Sequence, residues 1–249
     1  MKQFPLITAH TGCMGQPDHS LASLNAALAL GVDVYEDDIR ITRDGKLVLA
    51  HDDEVVLADG RQTRLSDITL EELEEFSQEE RLPLESVLRW IKKTGRTMNL
   101  DIKSVACLEP TAVMLLNMEM RNQAFFSGCE YSVALEADHV TPSIRKLLNV
   151  NIDSFRNGPY AEAVAQACNE GRAARCFGLN VPYPLVRPEL IAAARQVGLA
   201  VYVWTVSEPD DMRRMAGMGV DSITTRNVDA LLAVKAEMTN LKERAEVDE

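Results

Sequence analysis

The 249-residue chain predicts a single (β/α)8 barrel of the TIM type, on three observations. Its length is that of one such barrel, typically about 250 residues. Eight short apolar, β-rich runs alternate with helix-like segments over the whole chain. No linker-like stretch divides it, so residues 1–249 read as one domain. A doubly wound open sheet is the runner-up, because alternation alone does not close a sheet.

Strands are expected near Leu6–Ala9, Val32–Glu36, Met98–Ile102, Ala124–Phe126, Leu147–Ile152, Cys176–Leu179, Ala200–Val203 and Ser222–Thr224. Helical pattern fills Ser20–Leu30, Leu84–Lys93, Pro110–Asn122, Pro159–Asn169, Pro188–Val197 and Pro209–Gly217. Ser20 precedes an apolar-periodic run and can cap its first turn. Pro188 and Pro209 begin helices with acids in the first turn, and Gly31, Gly95, Gly171, Gly198 and Gly219 mark helix ends. Two segments break the rhythm. Asp44-Gly45, between Ile39 and His51, signals a hairpin after the second strand, because a two-residue I′ turn needs positive φ at both central residues. Residues from about 53 to 82 form a short polar insertion with a capped helix at Ser66–Phe76, and a charged tail begins near residue 240.

A net charge of −12 argues against nucleic acid as a partner, whose binding rests on cationic contacts with phosphates. An anionic substrate must therefore meet a locally reversed field, from a metal ion or from placed Lys and Arg. Five scattered cysteines with no CxxC pair read as reduced thiols. The N-terminal residues lack the apolar run of a signal peptide, and no segment has the length of a membrane span, so a cytoplasmic enzyme is the expectation. Oligomeric state is not legible in the sequence.

In a (β/α)8 barrel, working residues lie at the C-terminal strand ends and in the loops beyond. Those positions hold His10 after the first strand, Glu36 and Asp38 after the second, Asp101 and Lys103 after the third, and Trp204 after the seventh. Carboxylates at i and i+2 of a strand point to one side, so Glu36 and Asp38 converge. With Asp101 they offer oxygen ligands to a hard divalent ion, Mg2+ or Ca2+, with Mn2+ a further option. A two-residue turn at Asp44-Gly45 sets residue 38 opposite 51 and returns His51 to the level of Asp38. Two imidazoles beside a metal cluster suit proton transfer to and from oxygen, and Lys103 adds positive charge for an anion. Taken singly each has a plainer reading: a structural histidine, solvated acids, a strand-edge charge pair, a core tryptophan.

At these residues the chain resembles the glycerophosphodiester phosphodiesterase family of phospholipase C-like barrels. The resemblance runs over nearly the whole length, through Ala9-His10-Thr11-Gly12, Pro17-Asp18-His19-Ser20, Glu36-Asp37-Asp38, Thr42-Arg-Asp-Gly45, His51-Asp52, Leu100-Asp101-Ile102-Lys103, Val203-Trp204-Thr205 and Gly219-Val-Asp-Ser-Ile-Thr224. It implies His10 and His51 as the acid/base pair, and Glu36, Asp38 and Asp101 as metal ligands. It further implies Lys103 at the phosphate and Trp204 at the glycerol end of the pocket. The implied reaction is metal-dependent hydrolysis of a small phosphodiester to an alcohol and glycerol 3-phosphate.

Three departures stand out. Thr11 replaces the family's phosphate-holding arginine, Asp101 is one methylene shorter than the family's glutamate, and His19 replaces an asparagine, adding a third imidazole near the mouth. Thr11 and His19 are accordingly expected at the substrate, and Arg226 could partly replace the missing arginine. A barrel that binds phosphodiesters without turning them over, or a metal-dependent lyase or aldolase, are the alternatives.

Overall fold

The computed structural model describes residues 3–77 and 81–247, with side chains placed as far as 241. In chain order the elements are β1 (Leu6–His10), α1 (Leu21–Ala29), β2 (Val34–Ile41), β3 (Leu47–Leu49), β4 (Glu54–Val56), β5 (Gln62–Arg64), α2 (Leu70–Phe76) and α3 (Leu84–Thr94). There follow β6 (Thr97–Ile102), α4 (Leu108–Asn117), β7 (Ala124–Ser127), α5 (Tyr131–Val140), β8 (Leu147–Asn149), α6 (Ile152–Asn157) and α7 (Tyr160–Ala173). The chain ends with β9 (Gly178–Pro182), α8 (Pro188–Gln196), β10 (Ala200–Trp204), α9 (Pro209–Met218), β11 (Ser222–Thr225) and α10 (Val228–Val247).

Eight parallel strands run in the order β7-β6-β2-β1-β11-β10-β9-β8, and a parallel bridge from Phe126 to Lys146 joins the two ends. The sheet thus curls into the predicted barrel rather than an open sheet. Strand alternation explains the two sides of its wall. Ile7, Ala9, Tyr35, Leu100 and Val203 face the helices in the main apolar core. Val34, Phe125, Leu147 and Tyr202 pack together in a separate apolar layer. Phe125 and Tyr202 meet edge to face at 5.7 Å, a geometry worth roughly 1 kcal/mol beyond burial. The polar residues discussed below lie further along the same strands.

Local chemistry accounts for the element ends. Ser20 caps α1 by accepting from the Ser23 amide, and Thr69 with Glu72 forms a full capping box on α2. The expected Ser66–Phe76 helix therefore starts later, at Leu70. The insertion also holds the β4–β5 hairpin that the polar sequence did not announce. Its residues 78–80, and residues 248–249 of the expected charged tail, lie outside the described residues. The expected strand Leu147–Ile152 stops at Asn149, because the Asn151 side chain caps α6 by accepting from the Asp153 and Ser154 amides. No helix among the described residues is long and apolar enough to cross a membrane.

The hairpin register differs from expectation. Ile39 pairs with Leu49, Arg40 with Val48 and Ile41 with Leu47. The Thr42 amide donates to the Lys46 carbonyl at 2.9 Å, so the loop is three residues, Arg43-Asp44-Gly45, with Gly45 alone at positive φ. Thr42 Oγ1 holds Asp44 at 2.6 Å and accepts from the Lys46 amide at 3.0 Å, which fixes this longer turn. Asp38 therefore lies opposite Ala50, whose amide donates to its carbonyl at 3.1 Å, and His51 falls one residue past that level.

Candidate active site

Parallel registry lines up the acids. Asp38 pairs with Asp101, and Glu36 pairs with His10 on one side and Asn99 on the other. Because β2 extends to Ile41, Glu36 and Asp38 lie within the strand, not past its end as the sequence suggested. One ligand oxygen from each of Glu36, Asp38 and Asp101 fits within a 4.8 Å span. They form part of the wall of a cavity of about 570 Å³, shared with His10, His51, Lys103 and Trp204.

Three carboxylates so close crowd negative charge, which Lys103 meets in part. Glu36 is 5% exposed, and its Oε2 has no hydrogen-bond partner. Burial first, then the charges of Asp38 and Asp101, push its carboxyl well above the ordinary value. Asp101 is raised as well, by burial against the lowering effect of Lys103. Lys103 Nζ lies 2.9 Å from Asp38 Oδ1 and 2.8 Å from Asp101 Oδ1. Burial opposes its charge, but Asp101 and Asp38 outweigh burial and raise its pKa. Ser127 Oγ donates to Asp101 Oδ2 at 3.1 Å. Gly128 sits against this group at φ +71°, where a Cβ would collide with Asp101 Oδ1 and the Ile102 carbonyl. The orphaned Glu36 oxygen and the all-oxygen donor set fit a hard divalent ion.

The histidines are held in different ways. His10 Nδ1 lies 2.7 Å from the Thr11 carbonyl. A carbonyl only accepts, so Nδ1 carries the proton and the neutral ring keeps its lone pair on Nε2. His51 is more open, its side chain 65% exposed, with Nδ1 2.8 Å from Asp52 Oδ1. Its carbonyl accepts from Arg40 Nε and Nη2 at 3.0 and 2.8 Å, which pins the backbone after the hairpin. Its place at the cavity thus comes from this anchor and not from the predicted register.

Thr11 and His19 lie behind the cavity wall. Thr11 is 1% exposed, and its Oγ1 accepts from the His19 amide at 2.7 Å. His19 borders the neighbouring cleft, which shares His51 with the main cavity. Its Nδ1 is 2.5 Å from Asp37 Oδ1 and its Nε2 3.8 Å from Asp38 Oδ2. Burial opposes charge on this ring, but the Asp37 hydrogen bond and the nearby acids raise its pKa. Arg226 is tied to Asp18 at 3.0 Å and does not reach the cavity. Among the described residues, Lys103 is the only Lys or Arg on the wall.

Sequence reasoning passed over four groups. Asp37 read as a solvated acid but is fully buried, accepting from Tyr35 OH at 3.0 Å as well as facing His19. Its place between two inward acids, on the opposite strand face, was the available signal. Asn99, Asn149 and Asn180 line the cavity floor, and Asn180 Nδ2 donates to Asn149 Oδ1 at 3.0 Å. Strand phase predicts Asn99 on the same side as Asp101. Trp204 lines the cavity, and its Nε1 is buried with no hydrogen-bond partner.

Residues 10–230 match the glycerophosphoryl diester phosphodiesterase family. A glycerophosphodiester phosphodiesterase of Caldanaerobacter subterraneus subsp. tengcongensis is 26% identical over 245 residues, covering 91% of this chain and 96% of the relative. Among solved structures, an Oleispira antarctica phosphodiesterase in complex with the product sn-glycerol-3-phosphate superposes with a TM-score of 0.75, at 22% identity over 93% of this chain and 96% of that one. The glycerophosphodiester phosphodiesterase of Thermotoga maritima gives 0.73 at 20% identity over 95% and 100%. These two likenesses concern the fold. With its fold and the order of its motifs, the match over residues 10–230 shows that the chain belongs to the glycerophosphoryl diester phosphodiesterase family of enzymes.

Proposed function

We propose that the chain hydrolyses glycerophosphodiesters to glycerol 3-phosphate and a free alcohol, with a divalent ion held by Glu36, Asp38 and Asp101. The observation that carries this reading is the convergence of those three carboxylates beside Lys103 in a cavity bordered by two differently held histidines. The solved relative from Oleispira antarctica holds sn-glycerol-3-phosphate, which supports a small phosphodiester as substrate. Mg2+ or Ca2+ suits the oxygen trio, with Mn2+ also accommodated. When bound, the ion supplies Lewis acidity to a phosphate oxygen.

The chain's own residues supply the proton transfers. His10, its Nδ1 proton given to Thr11, presents Nε2 as the base. It takes a proton from water as the water oxygen bonds to phosphorus. The P–O bond to the alcohol breaks, and His51, oriented by Asp52, protonates the departing alkoxide. Lys103, which pairs with Asp38 and Asp101 here, would be free to turn to the phosphate where a bound ion met the charge of those carboxylates. Trp204 lines the cavity and gives the glycerol end of the substrate an apolar wall.

Phosphorus NMR of the products tests the nucleophile. Water attack gives glycerol 3-phosphate from the first turnover, whereas attack by the substrate's own hydroxyl gives a cyclic phosphate first. A binding-only barrel is the second reading, favoured by Lys103 being, among the described residues, the only Lys or Arg on the cavity wall. Tight binding of a phosphodiester with no turnover in the presence of Mg2+, Ca2+ or Mn2+ selects it.

A further inference from the structure

The His10 ring takes its orientation from a single peptide group, and that group is held from behind the cavity wall. His10 Nδ1 lies 2.7 Å from the Thr11 carbonyl. The other end of the same planar unit, the Gly12 amide, donates to Ser23 Oγ at 2.9 Å. Whatever fixes Ser23 Oγ therefore fixes the carbonyl on which the ring hangs. A rival acceptor stands close by: Glu36 Oε2 is 3.8 Å from the same Nδ1, too far for a hydrogen bond. It belongs to a carboxylate, and an ionised acceptor holds a donor about twice as strongly as a neutral one. A ring released from Thr11 would swing toward Glu36 and carry Nε2 away from the water it is to deprotonate.

Ser23, in the first turn of α1, is itself held. Tyr35 OH lies 3.2 Å from Ser23 Oγ and 3.0 Å from Asp37 Oδ2. A phenol has one proton, and the carboxylate is the stronger acceptor, so Tyr35 donates to Asp37. The Ser23 hydroxyl is then left to donate to the phenol oxygen. Asp37 anchors the line: its Oδ1 accepts from the Asp38 amide at 2.9 Å and faces His19 Nδ1 at 2.5 Å. Thr11 is braced from the same side, its Oγ1 accepting from the His19 amide at 2.7 Å. The bonds run in one direction, from the Gly12 amide through Ser23 and Tyr35 to Asp37, so each polarises the next. Ser23, Tyr35 and Asp37 are fully buried, where a broken link strands a polar group that water cannot reach. None of the three lines the cavity.

We infer that Ser23, Tyr35 and Asp37 form a positioning relay for His10. They hold the Thr11–Gly12 peptide so that the ring keeps its Nδ1 proton on the Thr11 carbonyl and presents Nε2 as the base. The inference rests on the base role given to His10 in the proposed function. Asp37 sits on β2 between Glu36 and Asp38, so the relay ties the ring to the strand that carries two of the three clustered carboxylates. The three residues act through His10 and not on the substrate.

The test is nitrogen-15 NMR of the histidine rings in the full chain with Mg2+, alongside kinetics. The variants are Tyr35→Phe and Ser23→Ala, each alone and combined with His10→Ala. In wild type at about pH 8.5, above the ordinary histidine range, His10 should be the Nδ1–H tautomer. This arm needs no variant, and an Nε2–H ring overturns the relay whether or not the variants fold. Tyr35→Phe and Ser23→Ala should each populate the Nε2–H form and lower kcat by roughly 10–100-fold, with KM and calorimetric Mg2+ affinity nearly unchanged. In the His10→Ala background neither should cost anything further, because the relay acts only through that ring. An unchanged tautomer, an unchanged kcat, a further loss in His10→Ala, or a fall in Mg2+ affinity that matches the fall in kcat overturns the relay. Full activity of His10→Ala alone instead sinks the base role, so the two failures are told apart.

Discussion

Lys103 Nζ stands 2.9 Å from Asp38 Oδ1, where its ammonium neutralises the same carboxylates that a metal ion would. The lysine is the resident counter-charge of the acidic cluster when no ion is bound. Removing one partner of a buried pair strands the other, at a cost of about 3 kcal/mol or more. Lys103→Met should therefore lower the melting temperature under chelation. It should also enlarge the stabilisation gained on adding a divalent ion, because the ion then neutralises carboxylates that nothing else does. Equal metal-induced shifts in wild type and variant, read by calorimetric melting, contradict this role.

His10 and His51 should separate by leaving group. Replacing either with alanine should lower kcat by roughly 10²–10⁴ on a substrate that releases an alkyl alcohol. With a nitrophenyl leaving group, which departs without protonation, His51→Ala should recover most of its activity and His10→Ala should not. The reverse pattern in kcat exchanges the acid and base roles.

Glu36 gives a pH signature. Its native carboxyl holds its proton to higher pH than the unfolded chain, where glutamate titrates near 4.5. The native state thus binds more protons, and stability falls as pH rises from about 4.5 through the raised native pKa. Glu36→Gln lacks this loss. Under chelation it should be more stable than wild type at pH 8, with the gap closing as pH approaches 4. A less stable Glu36→Gln at pH 8 runs against the assignment of uncompensated charge.

Gly128 should tolerate no side chain. Left-handed backbone alone costs an alanine about 1–2 kcal/mol, and the collision with Asp101 and the Ile102 carbonyl adds to it. Gly128→Ala should lose stability and weaken metal binding together, whereas Gly15→Ala, with open space around its Cβ, should lose only the backbone part. Matching losses in the two variants, by melting and metal titration, count against a tight Asp101–Gly128 fit.

Much of this was legible in the chain. The barrel was readable because apolar strand runs alternate with helices bounded by Ser20, Pro188, Pro209 and Gly219, local signals that tertiary packing did not override. The convergence of Glu36 with Asp38 followed from strand period, whereas the pairing of Asp101 with Asp38 is a parallel registry that only the folded sheet shows. The hairpin was foreseen but not its register, since the side chain of Thr42 favours a three-residue loop that no pair of turn residues reveals. The helix α5 carries no early proline or N-cap side chain, and its apolar residues gave no distinct start. Thr11 and His19 were expected at the substrate, but the His19 ring is held by Asp37, which Tyr35 also holds, and Thr11 Oγ1 accepts from the His19 amide; these contacts, invisible in sequence, keep both behind the wall.

The central claim is that turnover depends on an ion held by Glu36, Asp38 and Asp101. The most direct measurement is release of glycerol 3-phosphate from glycerophosphocholine by the chelated protein, before and after adding back Mg2+, Ca2+ or Mn2+, in wild type and Asp38→Asn. The account predicts activity only after an ion is restored, and a loss in Asp38→Asn of at least about 10²-fold that parallels its loss of metal affinity. Full activity under chelation, or in Asp38→Asn with no ion bound, would contradict it.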